Sequence, residues 1–338
     1  MRLNERFIGI DGGGTKTTCA IGTADGRVLA IVSGASSNIQ SKPLSQVVNV
    51  ITGLIEEALD QSDSEFTQLT MVYMALAGSA REEDRKKIMT ALQKRMPALK
   101  DYVIDHDAKG ALAAGTWHET GLVLIAGTGS IVYAFQSPEE EPIRVGGWGY
   151  LLGDEGSGFD IGRKGISAVM KEYDRTGTAT RLTDFVLEHF GKRDPSNLIP
   201  TIYGAKNVRG NLASVAKVVF LAAEGGDKVA KDILKGAKED LVRLVEAAYR
   251  QMPDTSSQTL VVSGGVFQNR LFRESFEADI RERLNGLTLI YPKLSPVIGA
   301  LTLALKQAGI QLTDDVKKTL EHYRIDSNKG GMNSSGSA

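Results

Sequence analysis

A short apolar run, Phe7-Ile8-Gly9-Ile10, leads into Asp11-Gly12-Gly13-Gly14-Thr15-Lys16-Thr17. An acid at a strand end, three glycines and then hydroxyl residues make a tight turn suited to phosphate. Glycine lets the backbone approach closely, and its amides can point at anionic oxygens. Asp11 would repel phosphate unless a cation stood between them, so the motif points to a magnesium-bound nucleotide. A plain β-hairpin without a ligand is the competing reading, and context must decide between the two.

The context is a repeat. Strand 7–10, the glycine turn, strand 18–22, a turn at Asp25-Gly26 and strand 28–33 form the first unit, with Asp-Gly as the hairpin signal. Helix 43–59 opens on Pro43. Strand 70–76, helix 81–95, strand 102–105 and helix 108–115 follow. The second half restarts with strand 122–125, the turn Ala126-Gly127-Thr128-Gly129-Ser130 and strand 131–135. Ala126 stands where Asp11 stands, so the magnesium-facing role falls to the first half. Helical spacing then covers 163–173, 183–190, 213–224 and 229–250. Strand 260–262, Ser263-Gly264-Gly265, helix 269–284, strand 288–291 and helix 297–307 close the pattern. Strands alternating with helices predict an α/β architecture. The tail 327–338 reads as disordered.

Composition narrows the partners. The chain has 338 residues, enough for two domains, and a net charge of −1. That charge gives no electrostatic case for nucleic acid or an anionic membrane. The uncharged stretch 121–138 is broken by Gly127, Thr128, Gly129 and Ser130, so it reads as two strands and a turn, not a membrane span. The lead-in through Arg2, Glu5 and Arg6 lacks an apolar run of secretory length, which makes the cytoplasm the expected location. The single cysteine, Cys19, excludes an internal disulfide and reads as a core residue. The charged run from Arg81 to Lys87 reads as a solvated helix face. The four histidines lack metal-ligand spacing.

Four Gly-containing turns thus follow apolar strands, at 11–17, 126–130, 146–158 and 263–265. Together with Asp107-Ala108, the block Gly146-Gly147-Trp148-Gly149 through Gly153-Asp154-Glu155-Gly156-Ser157, and Ser263-Gly264-Gly265-Val266-Phe267, they resemble the superfamily of sugar kinases, heat-shock chaperones and actin. Within it the chain is similar to the N-acetylglucosamine kinase branch of the BadF/BadG-type ATPase family, over roughly residues 6–310. The resemblance implies two actin-like, ribonuclease H-like domains flanking a nucleotide and sugar cleft. It divides the chain into 1–117 and 118–326, the latter with a helical insertion and with a final helix that can return to the first domain.

Asp107 ends a strand and opens a helix, where an N-cap is the plain reading. The resemblance makes it the general base for a sugar hydroxyl, a task open to an Asp ionised at pH 7. Asp105 is the fallback, better suited to polar support. The resemblance further implies phosphate contacts from Gly13, Gly14, Thr15, Lys16 and Thr17 and from Gly127, Thr128 and Gly129. It places adenosine at Gly264 and Gly265, and magnesium at Asp11, directly or through water. Asn38, Gly147, Trp148, Asp154 and Ser157 become sugar contacts. Trp117 and Trp148 are by themselves more ordinary as core residues, with Trp148 the better stacking platform. Ile39 and Gln40 replace the aromatic expected after Asn38, which leaves the hexose open.

The expected activity is transfer of the γ-phosphate of magnesium-ATP to a hydroxyl, O6, of N-acetylglucosamine, by a homodimer. N-acetylmuramate and glucosamine are the alternative substrates. An ATPase activator of a reductase or dehydratase would need several cluster thiolates, and only one cysteine is present. A sugar-sensing regulator would need a DNA-binding segment ahead of residue 7. An actin-type scaffold would leave Asp107 without a reason to be there.

Overall fold

The computed structural model describes residues 4–79, 81–138, 140–253 and 259–324. It divides into two units, one of Met1–Glu119 with Tyr291–Ala338 and one of Thr120–Ile290.

The first unit opens with β1 (Arg6–Gly12), β2 (Lys16–Gly22) and β3 (Val28–Ala35). It continues through α1 (Leu44–Gln61), β4 (Leu69–Leu76), α2 (Glu82–Arg95), β5 (Tyr102–His106) and α3 (Asp107–Thr116). Its sheet has the order β3-β2-β1-β4-β5. β1 runs antiparallel to β2 and parallel to β4, which is parallel to β5. Successive β1 residues are buried because helices cover both faces of the sheet. Ile8, Ile10, Cys19 and Ile21 pack with Val47, Ile51 and Ile55 of α1. Phe7, Ala20, Tyr73 and Ala75 pack on the opposite face with a later helix. Cys19 is fully buried, and burial drives its thiol well above the usual range, so the sulfur is an inert core group.

The second unit contains β6 (Gly121–Ala126), β7 (Ser130–Phe135) and β8 (Ile143–Gly146). Then come α4 (Gly158–Tyr173), α5 (Leu182–Phe190), α6 (Leu198–Tyr203), α7 (Val208–Glu224) and α8 (Lys228–Tyr249). β9 (Thr259–Ser263), α9 (Arg270–Arg283) and β10 (Thr288–Ile290) complete it. The sheet order is β10-β9-β6-β7-β8. β6 is antiparallel to β7 and parallel to β9, the pairing that β1 makes with β2 and β4. The strand–turn–strand echo in the sequence therefore corresponds to two copies of one five-stranded pattern.

The chain then returns to the first unit with α10 (Pro296–Gln307) and α11 (Asp314–Leu320). Of the two readings the sequence left open, the segment from Tyr291 belongs with the first unit rather than with a second domain running through 326. The apolar α10 is the helix packed on Phe7, Ala20 and Tyr73. A Cβ placed on Gly9 of β1 would lie 2.1 Å from the Leu301 nitrogen, so only glycine permits this approach. The expected disordered tail, 327–338, lies outside the described residues. β8, α6 and α11 had no clear sequence signal: β8 is four residues long, α6 carries Pro200, and α11 is mostly polar. The charged run of α2 is not wholly solvated either. Asp84 is buried and accepts from Gln40 Nε2 at 2.8 Å. Among the described residues, no helix is long and apolar enough to cross a membrane.

Candidate functional site

The parallel register of β1, β4 and β5 aligns Asp11, Ala75 and Asp105 at the carboxyl ends of their strands. Ligands of α/β sheets bind outside such ends. The turn after Asp11 closes with the Gly13 amide donating to the Lys16 carbonyl at 2.9 Å. The glycines divide their work. A Cβ on Gly12 would meet Ser37 Oγ at 2.3 Å, whereas one on Gly14 meets nothing within 4 Å. Gly12 thus serves packing and Gly14 leaves an open approach. Thr15 and Lys16 are exposed. Thr17, expected as a phosphate contact, is fully buried, and its hydroxyl bonds the Ala35 carbonyl at 2.7 Å and the Ser37 hydroxyl at 2.9 Å.

Asp11 and Asp107, 96 positions apart in sequence, come close enough to repel. Burial pushes the Asp11 carboxyl up to about 7, the Asp107 carboxylate adds to the rise, and the Lys16 ammonium opposes it. Burial likewise raises Asp107 to about 6 against the pull of the Ala108 amide, which donates to its Oδ1 at 3.0 Å. Asp107 is the first residue of α3 rather than its N-cap, which is His106. Asp105 is fully engaged: Tyr73 Oη donates to it at 2.9 Å, the His106 amide at 2.8 Å, and Lys109 Nζ pairs with it at 2.8 Å. It provides polar support, as the sequence suggested.

Asn38 sits in the loop after β3. Its Oδ1 accepts the Gln40 amide at 2.8 Å, a local turn bond that leaves its NH2 group. Ser36 Oγ donates to the Gly13 carbonyl at 3.0 Å and ties this loop to the glycine turn.

In the second unit the Gly127 amide donates to the Gly129 carbonyl at 2.9 Å and closes the matching turn. Helix α4 starts against it, with the Gly158 and Phe159 amides donating to the Gly127 and Thr128 carbonyls. Thr128 is exposed, and space around Gly127 is open. Gly264 has φ +110°, and a Cβ there would lie 2.2 Å from the Ala126 carbonyl oxygen, so the β9 turn is pressed onto the end of β6. Gly265 faces open space.

Asp154 is a strained non-glycine residue at φ +61°, only 3% exposed, and its carboxylate pairs with Arg209 Nη2 at 2.8 Å. Sequence reading missed Arg209, the first-turn residue of α7 placed beside the loop by helix packing. A Cβ on Gly162 of α4 would lie 1.8 Å from the Leu212 carbonyl of α7. The Gly158, Gly162 and Gly165 spacing is the signal for that close approach, but it does not name the partner helix.

Ser157, expected as a sugar contact, has a structural task. It is fully buried, and its hydroxyl accepts the Asp160 amide at 3.2 Å as the N-cap of α4. Ser157→Ala is therefore expected to lower stability by about 1 kcal/mol in urea unfolding while leaving the sugar KM unchanged. A raised KM at unchanged stability would return Ser157 to the substrate. Trp148 departs from the core reading: it is 61% exposed, and the Arg144 guanidinium lies 4.3 Å from its ring centroid. Trp117 packs partly buried on the core. Gly147 has φ +67°, and a Cβ there would press on the Ile131 side chain, so the turn requires glycine.

Comparison with known proteins places the chain in a family. The family model of BadF/BadG/BcrA/BcrD ATPases matches residues 8–304. The N-acetylmuramic acid/N-acetylglucosamine kinase of Clostridium acetobutylicum is 34% identical over 299 residues, covering 88% of this chain and 97% of that one. The N-acetyl-D-glucosamine kinase of Dictyostelium discoideum is 29% identical, covering 89% and 98%. A structure from Chromobacterium violaceum, whose proposed identity is N-acetylglucosamine kinase, superposes with a TM-score of 0.71 at 24% identity, covering 90% and 100%, which supports the fold. Two five-stranded sheets of one topology, acids at the strand ends of the first and this match over most of the chain carry one conclusion: the protein belongs to the BadF/BadG/BcrA/BcrD ATPase family.

Proposed function

We propose that the protein is an ATP-dependent amino-sugar kinase that transfers the γ-phosphate to a hydroxyl, O6, of N-acetylglucosamine or N-acetylmuramate. The observation that carries this reading is the pairing of Asp11 and Asp107 at the carboxyl ends of the first sheet, each with a raised pKa. The Asp11 carboxylate supplies hard oxygen suited to magnesium, which binds one or two carboxylates plus phosphate oxygens. Asp11, directly or through water, would hold that ion, which would neutralise charge on the transferring group.

Asp107 has one oxygen engaged by Ala108, leaving the other to accept the proton of the sugar hydroxyl. The Asn38 NH2 group donates to the sugar, and Asp154 accepts from its hydroxyls. The amides around Gly13, Gly14, Gly127 and Gly129 bind phosphate, with Thr15, Lys16 and Thr128 at the exposed edges of the turns. Gly264 and Gly265 leave backbone for the adenosine. Relatives named for N-acetylglucosamine, N-acetylmuramic acid and glucosamine support the amino-sugar class. We further expect a cytoplasmic homodimer, which light scattering on the purified protein checks.

The test is ADP release from magnesium-ATP over a panel of N-acetylglucosamine, N-acetylmuramate and glucosamine, with the phosphorylated position located by NMR. Sugar-dependent turnover with an O6 product is expected. Absence of sugar-dependent turnover across the panel sinks the reading.

A further inference from the structure

We propose that Arg209 is a nucleotide-binding residue whose guanidinium contacts the terminal phosphate of the nucleotide held at the turn of residues 127–129. The inference rests on the reading of that turn as a phosphate site. A Cβ placed on Gly129 would lie 2.6 Å from Arg209 Nη2, so the guanidinium packs directly on the turn. The turn itself, Ala126-Gly127-Thr128-Gly129-Ser130, has no cationic side chain, whereas the first turn carries Lys16. Arg209 comes from 80 positions downstream to fill that gap.

Its donors are underused. Nη2 serves Asp154 at 2.8 Å, while Nε is buried without a hydrogen-bond partner. A guanidinium has five N–H donors in a planar fork, which suits phosphate oxygens. The side chain is 41% exposed and stands 5.8 Å from the Tyr150 ring centroid, so an incoming anion can reach it. Charge supplies a further reason. The Asp154 carboxylate would lie 2.8 Å from the same Gly129 Cβ, and an unmasked acid there would repel phosphate. Arg209 masks that acid and offers its remaining donors to the ligand.

Calorimetry with ADP and with a non-hydrolysable β,γ-imido ATP analogue tests this on the full chain, with melting curves to confirm folding. The wild type is expected to favour the triphosphate analogue. Arg209→Met should remove about 10- to 100-fold of that preference, the worth of a hydrogen bond to a charged group, with less change for ADP. Arg209→Lys should restore part of it. If Arg209→Met is unstable because Asp154 is left unpaired, the double variant with Asp154→Asn removes that acid and should still lack the preference. Equal weakening of both nucleotides in a folded variant overturns the inference. So does an intact preference with losses confined to N-acetylmuramate turnover, which would assign the guanidinium to the sugar carboxylate. Unchanged binding in Arg209→Met, while the wild type phosphorylates sugar, defeats this inference alone. A wild type that binds neither nucleotide defeats the kinase reading with it.

Discussion

Asp107→Asn is expected to keep ATP binding and lose sugar-dependent turnover by about 10²–10⁴-fold, the usual contribution of a general base. The substitution is nearly isosteric. Asn Oδ1 can still accept the Ala108 amide, so the start of α3 is preserved. What disappears is the anionic oxygen able to take a proton. The wild type should show the same requirement through pH. Asp107 has its carboxyl raised to about 6, so it takes up a proton as pH falls through that value, and kcat/KM should fall with it. A cation beside it favours the carboxylate and should move this limb to lower pH. A near-wild-type rate in Asp107→Asn would place the base elsewhere, and Asp105 offers little substitute because Tyr73, Lys109 and the His106 amide already occupy it.

Asp11→Asn should separate activity from stability. Loss of the carboxylate proposed to hold magnesium should lower kcat by roughly 100-fold or more, since metal stabilisation of transferred charge contributes several kcal/mol. Stability should move the other way. Burial pushes the Asp11 carboxyl up to about 7 in the folded protein, from 3.8 in the unfolded chain. Between those values the unfolded chain releases the proton while the folded chain keeps it, so stability falls as pH rises through the window and levels off above it. The variant lacks this loss. In chelator, Asp11→Asn should melt above the wild type at pH 8, and the two should converge near pH 4. Equal melting temperatures at both pH values would show that Asp11 is not held under strain in the folded state.

Much of this arrangement was legible because its signals are local. The hairpin around Asp25-Gly26, the strand ends at Asp11 and Asp105, and the repeated Gly/Thr turn are written in consecutive residues. Roles that depend on burial were not legible in the same way. Thr17 and Ser157 look like ligand hydroxyls in their motifs, yet each hydroxyl makes internal bonds, one joining β2 to the loop after β3 and one capping α4. Trp148 looks like a core residue by type and is exposed instead.

The sequence by itself determined an α/β chain with two strand–turn–strand copies, an acid in the first copy and none in the second. Periodicity and turn chemistry act over a few residues, so no long-range information was needed. Only the tertiary structure decided that Asp107 stands beside Asp11, that α10 returns to the first sheet through the space at Gly9, and that Arg209 reaches Gly129 and Asp154. Those outcomes depend on which surfaces can approach to contact distance. Close approach is set by glycines on one element and the backbone of another, a relation between distant parts of the chain that no local pattern records.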